Sequence, residues 1–362
     1  VTRPKRRDDL QALTGYHSPQ LDVSVRLNTN ESPFPPPVGF VDAWTEALRT
    51  IPYNRYPDRH ARDLRSALAA TVDCNPDELF CANGSNEVLQ TLLLTYGGPG
   101  RTALICEPTY ALHAQIAKVT GTDVVTVERG SDFTIDVDAT VAAIRDVEPA
   151  VVFVCSPNNP TGTLEPLETI VAVLAACDEV GALLIVDEAY VEFAVASAVT
   201  LIDDNRNLVV TRTYSKVWSM AGMRLGFAVA PPAIVEELEA VVLPYHLSVA
   251  TQLAGLYALR FTGEMASRVT MIVEERERLS AAMAAMPGIE VFPSGTNFVL
   301  IRIAGLGRKV WDGLIEHGVL VRDFSSWLRL TDCLRVTVGT AAENEMFLTA
   351  LNTVVSALRP AR

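Results

Sequence analysis

Residues 150–162, AVVFVCSPNNPTG, carry an apolar run directly into a turn made of Pro157, Asn158, Pro160 and Gly162. Two further stretches share that build. ALLIVDEAY (182–190) runs into Asp187, and NLVVTRTYSK (207–216) runs into Ser215 and Lys216. Near-continuous apolar runs of about four to eight residues mark strands covered on both faces. The same pattern predicts strands at 79–82, 102–106, 123–127 and 225–230, with helix-length stretches at 85–96, 109–119, 136–147 and 165–180. Alternating strands and helices form a mostly parallel sheet flanked by helices, an α/β architecture. Ligands of such sheets bind at the carboxyl ends of the strands. Asn159, Asp187, Tyr190, Ser215 and Lys216 all fall there, and Arg224 lies eight residues beyond Lys216.

Outside this region the pattern changes. After about residue 245, helical stretches at 248–262 and 264–286 precede strand candidates at 289–292 and 296–303. A helix at 306–317, strand-like segments at 319–323 and 333–338, and a last helix at 341–358 follow. Thr340 and Glu343 have the spacing of a capping box at that last helix. This reads as a smaller α+β unit. The chain then divides into an extended arm (1–34), a large domain (35–245) and a small C-terminal domain (246–362).

The composition narrows the function. Of 362 residues 49% are hydrophobic, which excludes disorder and supplies a sizeable core. A net charge of −13 argues against nucleic-acid binding, which rests on Lys and Arg neutralising phosphates. No apolar run approaches the ~18 residues of a membrane span. Arg3, Lys5, Arg6 and Arg7 are followed by Asp8 and Asp9 rather than an apolar stretch, so no signal peptide is expected. The six cysteines form no C-x-x-C pair and several sit in apolar runs. They read as buried thiols of a cytoplasmic protein. The five histidines are scattered without metal-ligand spacing, so no metal is expected.

Singly, each polar residue at the strand ends has an ordinary reading. An Asp caps a helix, a Lys is solvated, and a Tyr packs in the core. In order along one sheet edge they match the needs of one cofactor, pyridoxal 5′-phosphate. Its aldehyde needs a lysine, its ring nitrogen an acidic partner, its phenolic oxygen polar side chains. Its phosphate needs helix-N-terminal amides, hydroxyls and an arginine.

The constellation resembles the fold-type I pyridoxal-phosphate enzymes, and within them the histidinol-phosphate aminotransferases of actinobacterial type. The resemblance spans nearly the whole chain: RLNTNESPFPPP (26–37), NRYPD (54–58), ANGSNEVL (82–89), PTY (108–110), SPNNPTG, VDEAY, YSK, AGMRLGF (221–227), LPYHLS (243–248), TNFVL (296–300), GVLVRD (318–323) and CLRVTVGTAAEN (333–344). It implies that Lys216 is the Schiff-base lysine and proton shuttle, and that Asp187 pairs with the ring nitrogen. Asn159 and Tyr190 would bond the phenolic oxygen and Tyr110 would stack on the ring. Ser85, Asn86, Ser215 and Arg224 would cradle the phosphate, joined by Tyr56 from a neighbouring chain in a homodimer. Arg335 would take the substrate anion, helped by Arg322, Asn30 and Tyr16.

The implied reaction moves an amino group from L-histidinol phosphate to 2-oxoglutarate, giving imidazole-acetol phosphate and L-glutamate in histidine biosynthesis. An aromatic or broad-specificity aminotransferase, a threonine-phosphate decarboxylase and a non-catalytic binder of the cofactor are the competing readings. The chain departs from many relatives at Ser32, Phe34, Tyr214, Val217 and Trp218. His113 stands where many have a second Tyr, either facing the imidazole pocket or packing.

Overall fold

In the computed structural model, residues 3–358 are described except 12, 14 and 16–18. Two sheets organise the chain. The strands are β1 (Val25–Leu27), β2 (Leu79–Ala82), β3 (Thr102–Glu107), β4 (Asp123–Glu128), β5 (Val151–Cys155), β6 (Leu183–Asp187), β7 (Leu208–Thr213), β8 (Gly226–Val229), β9 (Glu290–Val291), β10 (Phe298–Arg302), β11 (Val319–Asp323) and β12 (Cys333–Thr337).

The larger sheet has the order β2-β8-β7-β6-β5-β3-β4. Its strands run parallel except β8, which is antiparallel to both neighbours. Alternating side chains bury both faces. Ile105, Phe153, Ile185 and Val209 pack with Leu89, Leu92 and Leu238 from helices Ser85–Tyr96 and Pro232–Val241. Leu104, Val152, Val154 and Val210 pack on the other face with Ile144, Ile170 and Leu174 from helices Val137–Val147 and Leu167–Val180. A period of two over an unbroken apolar run thus builds two cores from one set of strands.

The smaller sheet has the order β1-β11-β12-β10-β9. Helices Thr262–Ala284, Gly307–Glu316 and Ala341–Leu358 bury Ile272, Leu279, Val310, Leu314, Phe347 and Leu351 with its strands. Glu343 accepts from Thr340 N at 2.8 Å, and Thr340 Oγ accepts from Glu343 N at 3.3 Å, which closes the capping box. The arm is not purely extended loop. Its residues Val25–Leu27 pair in parallel with Val319–Val321, although nearly three hundred residues separate them. This pairing carries the residues after Leu27 across the ligand edge of the larger sheet, where Thr29 meets Lys216 and Asn30 meets Tyr190. Among the described residues no helix is long and apolar enough to cross a membrane.

Candidate active site

The carboxyl ends of β5, β6 and β7 open into a cavity of about 300 Å³, closed on the far side by Thr29, Asn30 and Arg335. Asp187, the last residue of β6, is buried. Its Oδ2 lies 3.0 Å from Nε2 of His113, and its Oδ1 accepts from Ala189 N at 3.1 Å. His113 is itself fully buried, stacked on Phe153 at 4.6 Å and meeting Tyr110 edge-on at 5.4 Å. The ring therefore buttresses Asp187 and does not line the cavity. Neither signal for this pair is local, since 74 residues separate its members.

Lys216 sits in the turn after β7, with Nζ 3.3 Å from Thr29 O and 5.6 Å from the Tyr190 ring centre. Burial, and next the Arg335 charge, pull its ammonium down to about 8. Tyr190 Oη accepts from Asn30 Nδ2 at 2.8 Å, while Asn30 Oδ1 accepts from Thr337 Oγ1 at 3.1 Å. Burial raises the Tyr190 phenol. Asn30 holds a left-handed φ of 57°, a conformation Asn tolerates better than most residues.

Opposite Lys216 the helix Ser85–Tyr96 begins at the cavity wall. Ser85 and Asn86 line the wall at that helix start, and Asn86 Oδ1 accepts from Tyr110 Oη at 3.3 Å. Arg224 Nη1 reaches Ser215 Oγ at 3.4 Å. Arg224 precedes β8, and because β8 runs backwards its start shares the edge where β6 and β7 end. Two glycines let these groups converge. A Cβ at Gly226 would lie 2.3 Å from Ser85 N, and one at Gly84 would lie 2.6 Å from Arg224 Nη2.

Asn158 pins the turn after β5: its side chain bonds Thr109 Oγ1 at 2.8 Å, Pro108 O at 3.0 Å and Thr161 Oγ1 at 2.7 Å. Asn159 next to it lines the cavity and accepts from Arg335 Nη1 at 2.5 Å. Arg335 Nη2 also donates to Asn28 O at 2.8 Å. Arg322 faces Arg335 across β11 and β12 in register, and both are buried. Tyr56 lies outside this cavity, 79% exposed and stacked on Tyr245 at 4.5 Å. Tyr16 lies outside the described residues.

The donor set fits a phosphorylated pyridine aldehyde. The glycine-cleared corner gathers a helix N-terminus, a hydroxyl and a guanidinium, which suits a phosphate. Asp187 suits a ring nitrogen, and a half-buried lysine with a lowered pKa suits an aldehyde. Such a site on such a sheet suits an aminotransferase of classes I and II, and it is that family that matches residues 23–351 of the chain.

The relatives narrow the class. The histidinol-phosphate aminotransferase of Frankia casuarinae is 45% identical over 357 residues, covering 95% of this chain and 89% of its own. That of Thermobifida fusca is 45% identical over 354 residues, covering 96% and 94%. The crystal structure of the Sinorhizobium meliloti histidinol-phosphate aminotransferase, in complex with pyridoxal 5′-phosphate, superposes with a TM-score of 0.89. It is 24% identical and covers 98% of both chains, a likeness of fold. The chain belongs to the histidinol-phosphate aminotransferase family.

Proposed function

We propose that this chain transfers the amino group of L-histidinol phosphate to 2-oxoglutarate with pyridoxal 5′-phosphate as cofactor, a step of histidine biosynthesis in the cytoplasm. The observation that carries this reading is the convergence of a half-buried Lys216, Asp187 and Arg335 on one cavity. Bound pyridoxal phosphate supplies an aldehyde that takes up the amino group and a ring that spreads the charge left at Cα.

Each residue then has a task set by its surroundings. Asp187, oriented by His113 and Ala189 N, keeps the ring nitrogen protonated. Tyr190 and Asn159 hold the phenolic oxygen, and Tyr110 covers the ring face. Ser85, Asn86, Ser215 and Arg224 hold the cofactor phosphate. With the cofactor held there, the Lys216 amine would be the group that takes and carries the substrate's Cα proton.

Arg335 and Arg322 receive the substrate phosphate. Two paired guanidiniums match a dianion better than a single carboxylate, and this favours histidinol phosphate over an amino acid. Asn30 lines the same cavity as Arg335, and the family resemblance gives Tyr16 a part in binding the same group. The working form is a homodimer in which Tyr56 reaches the second chain's cofactor phosphate; its exposure on its own chain supports that role. Residues 35–245 form the cofactor-bearing domain, 246–362 the small domain, and 1–34 the arm that crosses the site.

Side-by-side kcat/KM values for histidinol phosphate and phenylalanine, with 2-oxoglutarate as acceptor, test the reading. Histidinol phosphate is expected to lead by about 100-fold or more, as sites built around a polar group reject substrates lacking it. A lead for phenylalanine, or release of CO₂ from a phosphorylated amino acid, refutes it.

A further inference from the structure

We propose that Phe324 is a positioning residue that holds the guanidinium groups of Arg322 and Arg335 together so that both receive one phosphate dianion. The inference rests on the functional reading above and deepens it with a residue that the reaction itself does not call for.

Arg322 and Arg335 are register partners on β11 and β12. Like charges directly opposite on a sheet repel, and in buried positions the repulsion is little screened. Phe324 stands two residues beyond Arg322, so its side chain shares the face of the sheet that Arg322 uses. Its amide continues the ladder by donating to Cys333 O at 3.0 Å. The ring centre lies 5.8 Å from Arg322 Cζ and 5.4 Å from Arg335 Cζ. The negative face of an aromatic ring attracts cations within about 6 Å, so a single ring serves both arginines. Arg335 is also 5.1 Å from the ring centre of Phe298 on β10.

The ring is fixed in turn. Trp327 meets it edge-on at 4.8 Å and 79°, and Trp327 N donates to Phe324 O at 2.8 Å. Phe324 is buried among Leu300, Leu330 and Cys333. Arg329 then ties this turn to the larger sheet by donating to the carbonyls of Arg129 and Gly130 just beyond β4. A leucine or methionine at 324 fills similar volume and keeps the burial but has no aromatic face. The shared attraction would be lost while the packing remains.

The test uses the holoenzyme, in which the cofactor-phosphate cradle is already filled. Three quantities are measured: KM for histidinol phosphate, and inhibition constants for inorganic phosphate and for L-histidinol, which lacks the phosphate. Phe324→Leu is expected to raise the first two by about tenfold, equivalent to about 1.4 kcal/mol, and to leave the third at its wild-type value. Phe324→Met repeats the result should the leucine variant fold poorly. Phe324→Tyr keeps the aromatic face and is expected to restore the wild-type constants. Equal losses in Phe324→Tyr and Phe324→Leu, or an unchanged phosphate constant in Phe324→Leu and Phe324→Met, overturn the proposal. The wild-type kinetics alone judge the functional reading, whereas the variant-to-wild-type ratios for inorganic phosphate judge the role of Phe324.

Discussion

Replacing His113 by Phe removes one donor from a buried carboxylate and little else. The substitution keeps a flat ring against Phe153, so the 4.6 Å stacking contact survives. What goes is the 3.0 Å contact from Nε2 to Asp187 Oδ2, between groups that are both buried. Oδ1 keeps the Ala189 amide at 3.1 Å, so Asp187 retains half of its support. A hydrogen bond to a charged group is worth about 1.5–3 kcal/mol. The carboxylate is correspondingly less stable as an anion, and its hold on a protonated ring nitrogen weakens by a similar amount. That free energy converts to a loss of about 10- to 100-fold in kcat. KM for histidinol phosphate should move little, because His113 does not line the cavity that Arg335 lines. The assay is steady-state transamination on protein saturated with cofactor, with His113→Gln as a partial rescue that sets an N–H donor near the position of Nε2. Wild-type kcat in His113→Phe would refute the reasoning, as would a fall confined to KM.

Three further outcomes follow from the same geometry. Arg335→Lys cannot make the paired contacts to Asn159 and Asn28; KM for histidinol phosphate should rise by about 10- to 100-fold, and an unchanged KM would show that Arg335 does not meet the substrate. Gly226→Ala sets a Cβ 2.3 Å from the Ser85 amide, backbone against backbone; such crowding costs about 1–3 kcal/mol, so equilibrium dialysis should find weaker cofactor binding, and unaltered binding would remove Ser85 from the cradle. In cofactor-free protein the Lys216 amine, at about 8, is lowered from the usual lysine range, so its neutral fraction rises as pH climbs through 8. At pH 7 about a tenth of it is neutral, against well under about one in a thousand of an ordinary lysine. Acylation by a neutral reagent, followed by peptide mapping, should therefore mark Lys216 ahead of Lys118 and Lys309, and a uniform labelling rate would contradict the lowered pKa.

The larger sheet was legible in the sequence because each of its inner strands is covered on both faces. Runs such as VVFVC and LLIVD admit few other readings, and the polar residue ending each run marked the ligand edge. Asn159, Asp187 and Lys216 stand at or just past the ends of such runs and Arg224 eight residues beyond Lys216, and the structure brings all four into one cavity. Other parts have no local signature. β1 is a three-residue strand whose partner lies at Val319–Val321, so it read as part of an extended arm. Helices Val38–Arg49 and Arg62–Val72 were not singled out. The first follows three prolines, and the second opens from Ala61 at a left-handed φ of 47° with no side-chain cap. His113 matters because Asp187 stands behind it in space, and Phe324 because two arginines from different strands share its ring. The first pairing is set by a helix packing on the sheet and the second by strand register, so both become visible only when distant elements are set side by side.

The most direct measurement is to load the purified protein with pyridoxal 5′-phosphate, reduce with borohydride and map the modified peptide. The label is expected on Lys216 alone, with colour that fades when glutamate is added before reduction. A colourless protein, or a label on any other lysine, would contradict the site described here.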